Sequence, residues 1–386
     1  MKQLRYVGIL LVITGIFVAS NIYTLIPIYD QVAAGLHSSP KLIIWGSSIF
    51  SLCYAVGLLC FGPLSEIIGR KKVIVIGLLL SCITTAVVGW SFNHWSLILF
   101  RGIQGFALGS FAPVAFAYIF ELYPEKKRTL LLALINSGFL MAGILGQLIS
   151  SFLTLHYSWE VVFFSFACIY FSLFFLSYFL LPNTHQQTSS TSRRIWRDFF
   201  LLLKDKNLLS CYMITFTLLL SFVAFYDGLG RMLTTHYEID SQSLMVIRAI
   251  GIIGTIFSIF TGRLINRYGL NRALVVGLTL GISSTFFMIV LNHQILAITI
   301  LSILFVSSIS MLIPIMITYI GKIGNHARGS ALSLYSFVLL VGASVGPILA
   351  SFMPFLSLLK VLLFLFFTNL IIARILQLRN EDNTSL

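Results

Sequence analysis

Acidic side chains are scarce in this sequence. There are 12 Asp and Glu against 25 Lys and Arg, and charged residues of all kinds make up 10% of 386 positions. Soluble domains carry about 25%. With 58% of its residues hydrophobic, the chain has too little polar surface to coat a water-soluble globule. That excludes a soluble enzyme or binding module and leaves lipid as the solvent. The cysteines (Cys53, Cys60, Cys82, Cys168 and Cys211) are odd in number and all fall in apolar runs, so no disulfide framework is expected. Ligand spacing between Cys and His is absent, which argues against a metal site. No Gly-x-x-x-x-Gly-Lys phosphate loop occurs, so ATP is not a direct driver, and nothing calls for a cofactor. A catalytic site inside a membrane needs convergent polar groups such as paired carboxylates. Apart from Glu160 at the start of one, the apolar runs hold one acid and no histidine, so an enzyme is not expected. The net charge of +13 does not indicate nucleic acid, because the basic residues punctuate the apolar runs instead of clustering.

What is present in quantity is apolar length. A spanning helix needs roughly 20 mostly apolar residues. Twelve such runs are predicted, at 7–29, 43–64, 73–92, 96–119, 129–153, 160–181, 208–228, 243–263, 272–292, 295–320, 329–352 and 357–378. Lys2 and Arg5 precede the first run, and Val18-Ala19-Ser20 resembles a signal-peptidase site. The run continues to Ile28, too long for a signal-peptide core, so it reads as an uncleaved first helix. One long polar break, 182–207, divides the chain nearly in half. The expected organisation is a first bundle at 1–181, a cytoplasmic linker at 182–207, and a second bundle with a short tail at 208–386. Within the linker, Ile195, Trp196, Phe199 and Phe200 beside Arg193, Arg194 and Arg197 predict a helix lying on the inner membrane face.

Orientation follows from the basic residues. With the N-terminus inside, twenty of the 25 Lys and Arg fall in inner segments. Three (Lys41, Arg231, Lys360) fall in outer ones, and Arg101 and Arg248 lie within spans. This positive-inside bias predicts an even number of spans with both termini cytoplasmic. Trp45, Trp90, Trp95 and Trp159 fall near outer span ends, as an interfacial aromatic belt would. At an offset of 200 residues, Gly62 matches Gly262, Gly69 matches Gly269, Gly77 matches Gly277, Arg128 matches Arg328 and Gly146 matches Gly346. A gapless register of glycines and a loop arginine indicates internal duplication, a common plan for transporters.

Between the second and third spans runs Gly62-Pro63-Leu64-Ser65-Glu66-Ile67-Ile68-Gly69-Arg70-Lys71-Lys72. This segment resembles the signature loop of the major facilitator superfamily, G-x-L-(small)-D/E-x-x-G-R-(K/R)-(K/R). The fourth span carries Arg101-Gly102-Ile103-Gln104-Gly105, similar to that family's second signature, R-x-x-Q-G. The resemblance covers essentially the whole chain and is unspecific about substrate. Gly62 and Gly69 suit close helix approach and a sharp turn. Glu66 and Arg70 would share a face on a continuous helix, and Glu121 is a second partner for Arg70. The resemblance implies that Gly62, Leu64, Glu66, Gly69, Arg70, Lys71 and Glu121 form a latch, closed on the cytoplasmic side in the outward-open state. The alternative reading is that these charges only fix topology.

Charge inside a span is costly, about 2.5–3.5 kcal/mol at the helix centre, so such residues should face a partner or a cavity. Arg101 is one; the resemblance implies proton coupling or substrate contact, against snorkelling as the alternative. Asp227, in Phe225-Tyr226-Asp227-Gly228, is the one acid within a span, and Arg248 lies at similar depth in the next helix. An Asp227–Arg248 pair is expected, with Asp227 either carrying a proton or locked in a permanent ion pair. Asp30 is a weaker alternative carrier. Antiporters of the resembled family often show a Gly-Pro pair in helix five. Here Gln147 follows Gly146 instead, and Gly346-Pro347 appears in helix eleven. These glycines read as packing sites.

Asn21, Tyr23, Tyr54, Gln104, Asn136, Tyr226 and Tyr335 are the predicted cavity residues, each also able to serve as an interhelical hydrogen bond. The expected fold class is an all-α integral membrane protein of twelve helices in two six-helix pseudo-symmetric bundles. The resemblance implies a monomeric proton-coupled transporter in the bacterial inner membrane. Its partners would be protons, lipid and a small molecule, exported as an amphipathic drug, metabolite or siderophore. Uptake symport of a small nutrient stays open. A receptor that has lost transport would keep the fold without coupling residues, and Arg101 argues against it.

Overall fold

A computed structural model describes residues 2–183, 201–237, 239–324 and 328–384. Among them every regular element is helical, the outcome expected where no water can satisfy an open backbone. The predicted helix at 195–200 lies outside the described residues. Contacts divide the chain into two units, Met1–Ser192 and Arg193–Leu386.

Unit 1 contains α1 (Lys2–Ser20), α2 (Tyr29–Gly35), α3 (Pro40–Ile68), α4 (Arg70–Gly89), α5 (His94–Leu108), α6 (Ala112–Leu122), α7 (Glu125–His156) and α8 (Trp159–Leu180). Unit 2 contains α9 (Lys206–His236), α10 (Ser241–Ile250), α11 (Ile252–Ile256), α12 (Thr261–Tyr268), α13 (Leu270–Val290), α14 (Ile295–Ile323), α15 (Arg328–Ser351) and α16 (Phe355–Thr384). Among the described residues, ten helical segments are long and apolar enough to cross a membrane, and two shorter apolar helices, Leu4–Ser20 and Met141–His156, accompany them.

The duplication is visible in the packing. In unit 1 α1 lies along α7, and in unit 2 α9 lies along α15. A Cβ added at Gly146 would sit 3.0 Å from Ser20 Cα and closer still to the Ser20 carbonyl oxygen. A Cβ added at Gly346 would sit 3.0 Å from the Leu220 carbonyl oxygen. Ser20 and Leu220 are themselves 200 residues apart, so one close helix approach is built twice. Gly69 (φ 104°) and Gly269 (φ 82°) likewise make the same sharp turn in each unit, at positive φ values that only glycine adopts without strain.

Several predicted boundaries are corrected. The first run, 7–29, is not one helix: the chain unwinds after Ser20 and passes through turns and a short 3-10 segment (Ile26–Ile28) before α2. The fourth run is interrupted at Gly109–Phe111, and the eighth at Gly251 and over Phe257–Phe260. The seventh does not stop at 228; α9 continues two further turns to His236. Arg231, predicted in an outer loop, is therefore a helical residue. Trp45, Trp90 and Trp95 are exposed as belt residues should be, whereas Trp159 is buried against Gly35.

Candidate functional site

Three polar clusters interrupt the apolar interior, and each is positioned by a break or a turn. The first is the turn between α3 and α4. Gly69 ends α3 at positive φ, so Glu66 and Arg70 are not on one continuous helix, contrary to the sequence expectation. They still meet: Arg70 Nη2 lies 3.5 Å from Glu66 Oε1, and Arg70 Nε lies 3.0 Å from Glu121 Oε1 at the end of α6. Arg70 Nη1 donates to the Gly62 carbonyl at 3.3 Å and to Ser65 Oγ. Gly62 contributes that carbonyl more than close approach, since an added Cβ would meet only Pro113 at 3.7 Å. Lys71 Nζ lies 5.8 Å from the Tyr178 ring centroid, and Leu64 is exposed. The arginine thus ties α3, α4 and α6 together at one end of the unit.

The second cluster surrounds Arg101, which is 0% exposed and so does not snorkel. Its Nη1 donates to Gln104 Oε1 at 2.7 Å, and its Nη2 donates to the Asn21 carbonyl at 3.0 Å. The Phe50 ring lies 4.0 Å from the guanidinium carbon. Gln104 Nε2 donates to Asn21 Oδ1 and Thr85 Oγ1, both at 2.9 Å. Asn21 Nδ2 donates to Tyr170 Oη, which donates in turn to the Phe17 carbonyl at 2.8 Å. No carboxylate among the described residues lies within 4 Å of Arg101. The physical account lies in the unwound turn after α1. Unwinding at this depth strips carbonyls of their helical partners, a cost of several kcal/mol each unless protein groups replace them. Arg101 takes the Asn21 carbonyl, and Ser150 Oγ donates to the Thr24 carbonyl at 2.6 Å. A cation held by a carbonyl dipole, an amide and a ring face is stabilised without a counter-ion.

The third cluster is in unit 2. Asp227 is 2% exposed, and its Oδ2 lies 2.9 Å from Arg231 Nη2, one turn along α9. Asp227 Oδ2 thus has an ion pair with a neighbour that the sequence reading had placed in a loop. Arg248, 2% exposed, comes from α10 and lays its guanidinium against Gly230, with Cζ 3.5 Å from where a Cβ would stand. That glycine leaves room for the arginine between Asp227 and Arg231 in sequence. Tyr226, 1% exposed, presses its hydroxyl on Gly251 at the break between α10 and α11. Its Oη has no hydrogen-bond partner among the described residues.

Of the predicted cavity residues, Asn21 and Gln104 join the Arg101 cluster. Tyr23, Tyr54 and Tyr335 are buried, and the hydroxyl of Tyr335 lacks a partner among the described residues. The side chain of Asn136 lies outside the described ones. Asp30 is exposed at the start of α2. Gln147 donates to the Gly143 carbonyl at 2.8 Å within α7, and Gly342 and Gly346 pack on α9 backbone. Sequence reasoning missed Thr85, Tyr170, Ser150 and Arg231. The first three carry no motif; Arg231 carried a signal, its spacing of four from Asp227.

Residues 11–347 match the family model described as Major Facilitator Superfamily. A protein named Uncharacterized transporter BU588, from Buchnera aphidicola subsp. Acyrthosiphon pisum (strain APS), is 29% identical over 289 residues, which is 74% of this chain and 70% of its own length. Uncharacterized MFS-type transporter YybF of Bacillus subtilis (strain 168) is 26% identical over 328 residues, 84% of this chain and 80% of its own. Multidrug resistance protein MdtG of Proteus mirabilis (strain HI4320) is 28% identical over 199 residues, 51% of this chain and 49% of its own.

Proposed function

The chain belongs to the Major Facilitator Superfamily, a family of transporters and not of enzymes, and on that premise we propose that it is a proton-coupled secondary transporter working by alternating access. Its cargo is a small amphipathic compound (a drug, metabolite or siderophore) moved out of the cytoplasm. The proposed frame is a monomer of twelve spans in two six-helix bundles, in a bacterial inner membrane, with both termini cytoplasmic. The observation that carries the coupling is Asp227: one acid within an apolar span, nearly fully buried, and within reach of a cation. An ionisable residue at such depth points to function by default. In this reading Asp227 takes up and releases the proton, and Arg231 and Arg248 set how readily it does so. The Arg70 cluster acts as the cytoplasmic latch, with Gly62, Leu64, Glu66, Gly69, Lys71 and Glu121. Arg101 links coupling to the unwound first helix. Asn21, Tyr23, Tyr54, Gln104, Asn136, Tyr226 and Tyr335 line the substrate path. Support for export comes from relatives such as MdtG of Proteus mirabilis, which is named a multidrug resistance protein.

A second reading, proton-linked uptake, has one observation in its favour. Asp227 lies among arginines, so neutralising it frees positive charge for an anionic substrate, and proton and anion then travel together. Flux separates the readings. A growth and accumulation screen of a deletion strain first supplies a substrate. In inverted vesicles with an acid interior, uptake abolished by a protonophore is the expected result. Flux only into right-side-out vesicles with acid outside would establish the second reading instead. Flux indifferent to any pH gradient would defeat both.

A further inference from the structure

Three polar side chains stand together at the end of α6, and each reaches a different part of unit 1. Glu121 Oε1 takes Arg70 Nε at 3.0 Å from the turn between α3 and α4. Tyr118, one turn earlier and fully buried, donates from Oη to the Pro182 carbonyl at 2.5 Å. Tyr123, the residue that ends α6, donates from Oη to the Leu4 carbonyl at 2.5 Å. Lys71, next to Arg70, lies 5.8 Å from the ring centroid of Tyr178 in the last turn of α8. The turn, the end of α6 and the end of α8 therefore meet in one place.

The two tyrosine bonds differ in weight. Pro182 follows Leu181, the residue that caps α8, and a proline there cannot continue the helix. No backbone amide among the described residues donates to the Pro182 carbonyl, so Tyr118 is its donor. Leu4 lies within α1, and its helical position already gives its carbonyl an amide partner. Tyr123 adds a second bond to a satisfied acceptor.

Tyr118 and Glu121 are three residues apart on one helix and share a face. As α6 is rigid, it cannot shift to release Arg70 without disturbing the bond to Pro182. The other half of this interrupted run is held fast. A Cβ added at Gly57 would sit 2.5 Å from the Phe106 carbonyl oxygen, and one at Gly109 would sit 2.7 Å from that of Tyr54. Gly62, further along α3, faces α6 more loosely, with Pro113 at 3.7 Å. Motion of the run falls to α6, beyond the break at Gly109–Phe111.

We propose that α6 is the moving part of the latch and that Tyr118 is a positioning residue. It pins the start of the 182–207 segment while Arg70 holds Glu121, and it releases that segment when the pair opens. The inference rests on the latch reading and adds a second element to it: the chain that joins the units is tethered at its first residue with the latch closed and free with it open.

The test is limited trypsin digestion of the full chain in detergent, where cleavage tracks the population of the open form. Arg193, Arg194 and Arg197 report on the joining segment, and Lys322 and Arg328 in unit 2 report general loosening. Tyr118→Phe removes one oxygen, and cleavage at the three arginines should rise on the order of tenfold, the effect of one lost hydrogen bond. Glu121→Gln should raise it severalfold, and the double variant should match Tyr118→Phe alone. Tyr123→Phe, the same change at the same end of α6, should leave the wild-type rate. Relative to Lys322 and Arg328, added salt should speed cleavage in the wild type and not in Glu121→Gln. A wild-type rate in Tyr118→Phe, effects of the two substitutions that multiply, or an equal rise at Lys322 and Arg328 would each overturn the proposal. The latch reading fails separately. Vesicle flux unchanged in Glu121→Gln with cleavage raised defeats the latch and leaves the pinning; flux lost with cleavage unchanged does the reverse.

Discussion

Unit 1 buries a cation that no described carboxylate approaches, and unit 2 buries a carboxylate among cations. Both stand on a duplicated frame, since the Gly146–Ser20 and Gly346–Leu220 approaches and the Gly69 and Gly269 turns repeat at one offset. The breaks do not repeat. In unit 1 the helix after Ser20 unwinds while α3 runs whole; in unit 2 α9 runs whole while its neighbour breaks at Gly251. Arg101 lies beside the broken helix of unit 1, and Arg248 lies on the broken helix of unit 2, three residues before Gly251. In unit 1 the polar groups sit where the unwound backbone needed replacement partners, Arg101 on the Asn21 carbonyl and Ser150 on the Thr24 carbonyl.

The largest effect that could break this contrast is expected at the arginines. Arg101→Ala orphans the Asn21 carbonyl and Gln104 Oε1, which should cost about 2–4 kcal/mol and lower flux at least a hundredfold. Arg101→Lys should rescue little, because one ammonium cannot span both acceptors as the planar fork does. Arg248→Lys should keep most activity, since its proposed role is charge. Thermal unfolding and vesicle flux on the same samples check this. Equal tolerance of Lys at both sites would erase the distinction between strut and charge.

A middle-sized effect sharpens the shared part of the frame. Gly146→Ala drives a methyl into Ser20 backbone, whereas at Gly346 the approach is 3.0 Å to Leu220 O and to Val223 Cβ. Overpacking of this kind costs about 1–3 kcal/mol, and Gly146→Ala should stand at the upper end. Unfolding in detergent would read the order, and a reversal would mean that the two contacts are not the same device.

The smallest effect is expected at the turns. The Arg70 cluster of unit 1 is ionic. Its counterpart in unit 2 shows no ion pair among the described residues: Tyr319 Oη donates to Asn271 Oδ1, Gln377 Nε2 donates to the Asn271 carbonyl at 3.2 Å, and Arg374 Nη1 donates to Gln377 Oε1 at 3.4 Å. Partly exposed ion pairs contribute about 0–1 kcal/mol and weaken with salt. Glu121→Gln should therefore abolish a salt-dependent component of stability that Tyr319→Phe leaves in place. The same salt response in both variants would remove the difference between the turns.

Much of the frame was legible in the sequence, because apolar length, glycine register and basic punctuation are local signals. The Arg70 turn and the isolated Asp227 were legible for the same reason. What escaped was tertiary. Asn21–Leu25 reads as helix because hydropathy does not register which carbonyls a distant Arg101 or Ser150 will satisfy. Arg231 was lost to a loop because the apolar window closes at 228, although a helix can continue past its apolar face. Tyr170 and Thr85 sit in apolar runs without any motif, and only packing brings them to Asn21.

The division of labour between the halves turns on Asp227. In proteoliposomes holding one identified substrate, flux driven by a pH gradient and flux driven by substrate exchange can be measured side by side in wild type and Asp227→Asn. The expected result is loss of the pH-driven flux with exchange retained. Wild-type pH-driven flux in the variant would contradict the assignment of the proton to unit 2.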